Sequence, residues 1–468
     1  MIPVEKVTLN QSNKDSIYVT GMGVINAIAD SIPEFEHSLR NGLQRFRYLE
    51  EKKINNLNAI GADISYFSLE NKLKKKELIF NHPDLNLCQG AQMGVRMDYY
   101  PDSSQVPEDL IDKAIKTARR APLTIKAAVS CVLEAYLLAE LFKNPIPKDR
   151  IAVIVTGSNL TNTVREGYSD KFEHDPEYLT PQYALQFMDT DHVGTLSEIF
   201  GIGGEGFTVG GASASGNAGI IKAHQLIKLG LADACVVVGA LTELTNMELQ
   251  GFYNIGALGG RKYYGEPDKT CRPFDEGHEG FVYGQASGCL ILESRESTEK
   301  RRIKPLAEMF GGVINLDGNR SSNPSLDGEV KAMAKTLEAA GVKPEEVDYI
   351  NAHGSSSPLG DETELKAIKE VYKENISKIF INSTKGLTGH CLFSAGVVEA
   401  IAVIIQMNSG FIHPNANLEN PIDCEFLFAG KTAVPASIKL AMSNSFGFGG
   451  INTSILIKNI KSEIKSKK

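Results

Sequence analysis

Short apolar runs alternate along this chain with longer segments whose apolar residues recur at helical spacing. The apolar runs predict buried strands at 16–20, 151–156, 207–209, 234–238, 288–292, 306–311, 347–351, 379–381, 439–442 and 453–457. The longer segments predict helices at 123–142, 183–200, 215–229, 329–340, 362–372 and 394–407, with an earlier one ending near Asn41–Gly42. This alternation is typical of an α/β core built on a parallel sheet.

The order of predicted elements is similar in residues 1–298 and in residues 299–468, so we expect two similar βαβ-type halves. Charged residues are concentrated between Ser294 and Arg302, and we place the boundary between the two halves there. From about 50 to 122 the chain is polar and irregular, and we interpret this stretch as an insertion over the core of the first half. It is expected to cover an entrance or to shape a docking face. Gly21-Met22-Gly23 predicts a turn after the first strand.

Composition excludes several classes of function. The chain has 468 residues, of which 42% are hydrophobic and 23% charged, as in ordinary globular proteins. A formal charge of −8 argues against binding to nucleic acids or to anionic membranes. We expect no secretory signal and no membrane span, because we find neither an apolar leader nor about 18 consecutive apolar residues. The seven cysteines are scattered without a CxxC motif, which favours a reducing cytoplasm over a disulfide framework or a zinc site.

Three polar positions stand out as candidate chemistry. Ser213 follows a strand and two small residues and precedes a helix, where backbone N–H groups and the helix dipole favour negative charge. Taken alone, Ser213 and Ser215 are equally well explained as helix caps. His353 lies just past an apolar strand, where α/β sheets carry their sites. His390 follows a Gly-rich turn and precedes a helix of small residues.

Two other motifs carry little weight. Residues 201–206 fit Gly-x-Gly-x-x-Gly, but they follow a helix and precede a strand, the reverse of a dinucleotide-binding turn. The Ser213 segment also lacks the last glycine of the Gly-x-Ser-x-Gly elbow of serine hydrolases.

Five ordered motifs give the chain a resemblance to β-ketoacyl synthases of the thiolase superfamily, from about Ile17 to Leu456. They are Val19–Val24, Arg272–Asp275 with Glu279–Val282, His353–Asp361, Asn382–His390 with Glu399, and Asn444–Gly450. The resemblance implies an α/β thiolase-like fold with a five-layered αβαβα core, and a homodimer. The chain departs from the family at Ser213, where the family has a cysteine, and at Gln285, where it usually has glutamate. Ser215 could also align with the family's cysteine, but the number of residues to the Gly230–Asp233 corner favours Ser213.

In that family the cysteine accepts an acyl group and the two histidines drive decarboxylation of a malonyl thioester. With serine in place of cysteine, the resemblance implies decarboxylation of malonyl-acyl carrier protein to acetyl-acyl carrier protein without condensation. Serine-bearing homologues of polyketide β-branching cassettes perform this step for a hydroxymethylglutaryl-synthase-like partner. The implied substrate arrives on the phosphopantetheine of an acyl carrier protein, and we expect no other cofactor and no metal. Malonyl and methylmalonyl groups both remain open.

The resemblance also implies roles for individual residues. The catalytic set is Ser213, His353, Lys385 and His390, with Lys385 and Glu399 positioning His390 and with Asp361 supporting the first histidine loop. The backbone N–H groups of Ser213 and Phe448 form a further oxyanion site, and Ser355 and Ser357 bind the pantetheine arm.

Two alternative functions stay open at this point. In one, Ser213 is itself acylated, with the histidines as its base, and the protein condenses or transfers acyl groups. In the other, the chain is a non-catalytic ketosynthase partner resembling the chain-length-factor subunits, although retention of both histidines and Lys385 argues against that.

Overall fold

The computed structural model describes residues 16–74 and 105–460. Its largest feature is an eleven-stranded sheet with the order β13-β11-β10-β15-β16-β9-β1-β8-β6-β4-β5. The strands are β1 Ile17–Asn26, β2 Arg47–Ile54, β3 Leu57–Ala62, β4 Ile151–Thr156, β5 Gly206–Val209, β6 Ala234–Gly239, β7 Tyr283–Gly284, β8 Ala286–Ser294, β9 Ala307–Leu316, β10 Tyr349–Asn351, β11 Phe380–Asn382, β12 Phe411–Ile412, β13 Leu427–Phe428, β14 Val434–Pro435, β15 Leu440–Gly447 and β16 Ile451–Lys458.

Helices cover the faces of this sheet and fill the space between its two halves. They are α1 Ile32–Asn41, α2 Leu69–Lys74, α3 Glu108–Ala118, α4 Leu123–Leu138, α5 Asn162–His174, α6 Tyr183–Gln186, α7 Thr190–Phe200, α8 Ser215–Lys228, α9 Asn246–Asn254, α10 Arg295–Arg301, α11 Leu326–Ala340, α12 Pro358–Tyr372, α13 Lys385–Thr388 and α14 Ala395–Ser409.

The sheet contains the same arrangement twice. In the first half β4 pairs in parallel with β5 and β6, and β8 joins β6 to β1 through antiparallel pairs. In the second half β10 pairs in parallel with β11 and β15, and β16 joins β15 to β9 through antiparallel pairs. Antiparallel pairing of β1 with β9 joins the halves. The sheet is therefore mixed: each half has the parallel pairs that the alternation predicts, and antiparallel strands join the halves.

Helices α8 and α14 form the middle layer. Both are largely buried, and their first turns touch backbone to backbone: a Cβ on Gly216 would lie 2.7 Å from the Gly396 nitrogen. A Cβ on Gly396 would lie 2.6 Å from the Asn217 nitrogen. Each helix is preceded by a 3₁₀ turn whose first residue has positive φ, Ala212 (47°) and Leu392 (52°). The repeat thus extends to the backbone that enters each central helix.

The first strand differs from its prediction. β1 continues through Gly21 and Gly23 instead of turning there, with a register shift between Val19 and Gly21. A Cβ on Gly21 would lie 2.2 Å from the Ala135 carbonyl oxygen, and one on Gly23 2.0 Å from that of Cys131. These glycines let α4 pack directly on β1.

The segment from 50 to 122 is less irregular than predicted. β2 and β3 form an antiparallel hairpin, and α2 and α3 lie on either side of 75–104, which is outside the described residues. Residues 461–468 are outside them too. The predicted helix 183–200 is divided into α6 and α7.

One helical stretch, Leu392–Ser409, is long and apolar enough to cross a membrane by length and composition, but 89% of it is buried inside the protein. A buried core helix passes the same test.

The contact between α8 and α14 yields a stability prediction. Replacing Gly216 with Ala forces a methyl group onto the Gly396 backbone, which cannot move without displacing both helices. We expect the free energy of unfolding to fall by about 2–3 kcal/mol in urea denaturation, the usual cost of overpacking a core. Gly251→Ala in α9 is the matched control, because its Cβ meets nothing within 4 Å, and should gain up to about 1 kcal/mol from helix propensity. Equal stability of the two variants would contradict the importance of this contact.

Candidate active site

Six of the residues predicted from the sequence line one cavity of about 270 Å³, which we call the inner cavity, whereas Lys385, Glu399 and Asp361 do not line it. Ser213, His353 and His390 line it, together with Ser355 and Ser357 from the first histidine loop. A second space of about 340 Å³, the outer cavity, shares His353, both serines and Phe448 with it. The outer cavity reaches the exposed residues Ser322 and Asn323, so it connects the inner cavity to the surface.

Ser213 occupies the 3₁₀ turn between β5 and α8. Ala212, directly before it, has a φ of 47°, a left-handed conformation that costs a non-glycine residue about 1–3 kcal/mol and is common at active sites. Ser215 is fully buried, and its hydroxyl donates to the Ala212 carbonyl at 2.7 Å. Ser215 is therefore the structural serine of this turn, and Ser213 is the one that faces the cavity.

The two histidine rings stand nearly perpendicular, with centroids 5.4 Å apart. Phe281 packs edge-on against His390 at 5.3 Å, and Phe446 packs against His353 at 5.7 Å. These aromatic contacts fix both rings and keep the site apolar around them.

The hydrogen-bond partners assign the protonated nitrogen of each ring. The backbone N–H of Leu392 donates to Nδ1 of His390 at 3.0 Å. Nδ1 of His353 lies 3.4 Å from Nζ of Lys385, a group that donates only. A neutral imidazole whose Nδ1 accepts carries its proton on Nε2. Both histidines therefore offer an Nε2–H donor.

Burial holds both imidazoles in the neutral form. Desolvation lowers the pKa of His353 well below its usual range, with further lowering by Lys385 and by His390. Desolvation likewise lowers the pKa of His390, with a smaller contribution from Lys385.

Lys385 is a fully buried cation in an ion pair. Its Nζ lies 2.5 Å from Oε1 of Glu399 and donates to the carbonyl oxygen of His353 at 2.6 Å. Burial raises the pKa of Glu399, and Lys385 opposes that shift. The resemblance implied that Lys385 and Glu399 position His390; besides the ion pair with Glu399, the hydrogen bonds of this ammonium go to His353.

Asp361 lies beneath the histidine loop. Its carboxylate accepts from the backbone nitrogens of Phe274 (2.8 Å) and Ser356 (3.1 Å), and Nδ1 of His278 lies 3.0 Å away. Asp361 therefore ties the loop carrying His353 to the Arg272–Asp275 turn without lining either cavity.

Ser355 and Ser357 lie side by side, their hydroxyl oxygens 2.8 Å apart, where the two cavities meet. Phe448 is 39% exposed and lines both cavities.

Gln285 hydrogen-bonds through its amide, accepting from the Ile64 nitrogen (3.1 Å) and donating to the Tyr283 hydroxyl (3.1 Å). Where the family usually has glutamate, Gln285 makes these amide hydrogen bonds in place of an ion pair. Among the described residues, no group of three or more His, Cys, Asp or Glu side chains is placed to hold a metal ion.

Sequence reasoning missed Glu364. This buried carboxylate accepts from the backbone nitrogens of His353 (2.8 Å) and Gly354 (2.7 Å), and burial raises its pKa to about 7. It fixes the backbone of the catalytic loop. In the sequence it lies eleven residues after His353, inside a helix. Nothing in the sequence distinguishes it from an exposed helical glutamate.

Comparison with known proteins now gives the family. The model described as "Beta-ketoacyl synthase, N-terminal domain" matches residues 14–298, and "Beta-ketoacyl synthase, C-terminal domain" matches residues 306–419. The chain belongs to the β-ketoacyl synthase family. This confirms the resemblance of the five motifs.

Relatives within the family include proteins named as a decarboxylase and as synthases. "Polyketide biosynthesis malonyl-ACP decarboxylase PksF" of Bacillus subtilis (strain 168) is 36% identical over 97% of this chain and 99% of its own length. "3-oxoacyl-[acyl-carrier-protein] synthase 2" of Staphylococcus aureus is 33% identical over 75% of this chain and 87% of its own.

Solved structures share the fold. "The ishigamide ketosynthase/chain length factor" superposes with a TM-score of 0.77 at 24% identity, over 95% of this chain and 99% of that one. A "Beta-ketoacyl synthase from Burkholderia phymatum STM815" gives 0.76 at 24% identity with the same coverage. The predicted thiolase-like fold is confirmed.

The low histidine pKa values predict how these rings titrate. We expect the Cε1–H proton NMR signals of His353 and His390, assigned with His353→Gln and His390→Gln, to show no inflection near pH 6.5. Both rings should stay neutral because burial disfavours the imidazolium. Since unfolding releases them to their ordinary pKa, their contribution to stability is complete above about pH 6.5 and is lost as the pH falls below it. An inflection near pH 6.5 for either ring contradicts this assignment.

Proposed function

We propose that this protein decarboxylates malonyl-acyl carrier protein to acetyl-acyl carrier protein and carbon dioxide, without condensation. The observation that carries the proposal is the pair of neutral Nε2–H donors, His353 and His390, in a cavity where Ser213 replaces the family's cysteine. The similarity to the Bacillus subtilis malonyl-ACP decarboxylase supports the same reaction.

The chemistry needs little more than these two donors. The bond between the α-carbon and the carboxylate carbon breaks, and its electron pair moves into the thioester to give an enolate while carbon dioxide leaves. Two N–H groups stabilise the enolate oxygen, and each such donor is typically worth about 3 kcal/mol in a transition state. A proton taken up from water then adds to the α-carbon and gives the acetyl thioester.

The same tautomers disfavour an acylated serine. A serine hydroxyl needs a base to become a nucleophile. With Nδ1 of each histidine occupied and Nε2 protonated, neither ring has a free lone pair for the Ser213 proton. This argues against the acyltransferase alternative. The non-catalytic alternative is disfavoured because both histidines and Lys385 keep a catalytic arrangement.

Individual roles follow from the positions of the side chains. His353 and His390 contact the enolate oxygen, and Lys385 holds His353 through Nδ1 and the carbonyl oxygen, paired with Glu399. To the backbone N–H groups of Ser213 and Phe448 we assign the binding of the carbonyl or carboxylate of the incoming group, the role that the resemblance implies.

The substrate enters on the phosphopantetheine of an acyl carrier protein. The outer cavity is the route we propose for this arm, with Ser355 and Ser357 hydrogen-bonding its amides. No cofactor beyond that arm takes part. The acetyl-carrier product then serves a hydroxymethylglutaryl-synthase-like partner in polyketide β-branching, in the cytoplasm, a compartment that suits the buried free thiols.

The test is a set of three variants. His353→Ala and His390→Ala should each lower the rate of carbon dioxide release from malonyl-carrier protein by at least about 100-fold, the usual cost of removing an oxyanion donor. Ser213→Ala should keep the rate within about tenfold of the original, because the serine forms no bond to substrate. The carrier is followed by mass spectrometry. Loss of activity in Ser213→Ala equal to that in His390→Ala would overturn the proposal.

We also propose a homodimer. Strand β5 is one of the two end strands of the large sheet, and its outer edge presents backbone groups that a second β5 can pair with. Light scattering on the purified protein should give twice the chain mass of 50.9 kDa. A mass of one chain at micromolar concentration contradicts the dimer.

A further inference from the structure

Glu329 is a buried carboxyl group that has no part in the reaction proposed above. It lies in the first turn of α11, is 1% exposed and lines the outer cavity. Among the residues that the structure describes, its Oε2 has no hydrogen-bond partner. Buried polar atoms in folded proteins almost always have a partner, so an unpaired one needs a specific explanation.

The surroundings of Glu329 favour its uncharged form. Burial raises the pKa of Glu329 well above its usual range, and the carboxyl groups of Glu364 and Asp317 raise it further. Within the described parts of the chain, no lysine or arginine lines the outer cavity. Glu329 is therefore uncharged near neutral pH, and an uncharged carboxyl group both donates and accepts hydrogen bonds.

The backbone that carries Glu329 is held against the end of β9. The Ser325 side chain accepts from the Gly328 nitrogen at 3.2 Å and so caps α11. A Cβ on Gly328 would overlap the Asp317 carboxylate, which accepts from the Asn452 amide at 2.7 Å. The torsion about the last bond of a glutamate is broad, so the carboxyl group can turn either oxygen toward the cavity. Glu329 thus offers a hydrogen-bonding group at a fixed place in the cavity wall.

The position of Glu329 indicates which part of an incoming arm would reach it. Ser355 and Ser357 line both cavities, whereas Glu329 lines only the outer one. A phosphopantetheine arm carries two amide groups, one near its sulfur and one farther away. When the sulfur lies beside the histidines, the farther amide is the one that remains in the outer cavity, on the side where Glu329 lies.

We propose that Glu329 is a further substrate-binding residue, whose carboxyl group hydrogen-bonds the pantetheine amide farther from the sulfur. The inference rests on the proposed function, from which it takes the route of the arm. It adds one polar contact to those of Ser355 and Ser357, and it gives the unpaired Oε2 a partner that arrives with the substrate.

The test compares two ligands that differ in the second amide and needs no turnover. S-acetyl-pantetheine has both amides, and S-acetyl-N-acetylcysteamine has only the one near the sulfur. Their dissociation constants are measured by NMR titration for the unmodified protein, Glu329→Leu and Glu329→Gln. We expect Glu329→Leu to weaken the binding of acetyl-pantetheine about tenfold, the loss expected for one buried hydrogen bond, and to leave that of acetyl-N-acetylcysteamine within about twofold.

Glu329→Gln is the matched control. It keeps the size of the side chain together with a donor and an acceptor, so both constants should stay within about threefold of the original. Urea denaturation gives a second readout. Because an unpaired buried polar group destabilises the free protein, Glu329→Leu should raise the urea midpoint of unfolding while it weakens binding. Glu329→Met, of similar length, takes its place if Glu329→Leu does not fold.

Three binding results overturn the inference: equal weakening of both ligands, unchanged binding of acetyl-pantetheine by the apolar variant, or no binding of acetyl-pantetheine by the unmodified protein. A lower urea midpoint in the apolar variant overturns it too, since the carboxyl group would then serve the fold. Failure of the unmodified protein to decarboxylate malonyl-carrier protein, with the expected binding pattern intact, would overturn the proposed reaction alone.

Discussion

The site depends on the contact between the first turns of α8 and α14 at Gly216 and Gly396. Side chains at either glycine would separate the helices, because each Cβ would lie under 3 Å from backbone nitrogen of the other helix. With hydrogen in both places, the 3₁₀ turns that enter the helices come together at the centre of the molecule. One turn carries Ser213 and the other follows His390, so a packing requirement of the duplicated fold also assembles the chemistry.

Electrostatics then determine what the assembled groups do. Lys385 brings a full charge into the core, and the nearby Glu399 compensates it; an unpaired charge there would be strongly destabilising. The ammonium uses its remaining hydrogens on His353, which sets the tautomer of that ring, while a backbone N–H sets the tautomer of His390. Burial keeps both rings neutral. Neutral donors stabilise an enolate but cannot also serve as bases for a serine, so the exchange of cysteine for serine is consistent with keeping decarboxylation and losing acylation.

The core strands and helices were predictable from the sequence because their apolar residues have strong periodicity. The residues of the site were predictable because the motifs around His353 and His390 are ordered and specific. The β2–β3 hairpin was missed because β2 is polar and largely exposed and so lacks the apolar alternation of a core strand. Gly21 and Gly23 were mistaken for a turn because glycine gives the same signal at a turn and at a close approach of α4. The partner of Lys385 and the role of Glu364 both depend on contacts between distant segments, which single-sequence patterns do not encode.

The most direct test of the central claim is to follow both proteins during a single turnover. Purified enzyme in excess is mixed with malonyl-carrier protein, and the intact masses of carrier and enzyme are recorded at intervals. We expect the carrier to lose the mass of one carbon dioxide while the mass of the enzyme never changes. An enzyme species carrying an acetyl or malonyl group on Ser213, formed and consumed at the rate of turnover, would contradict it.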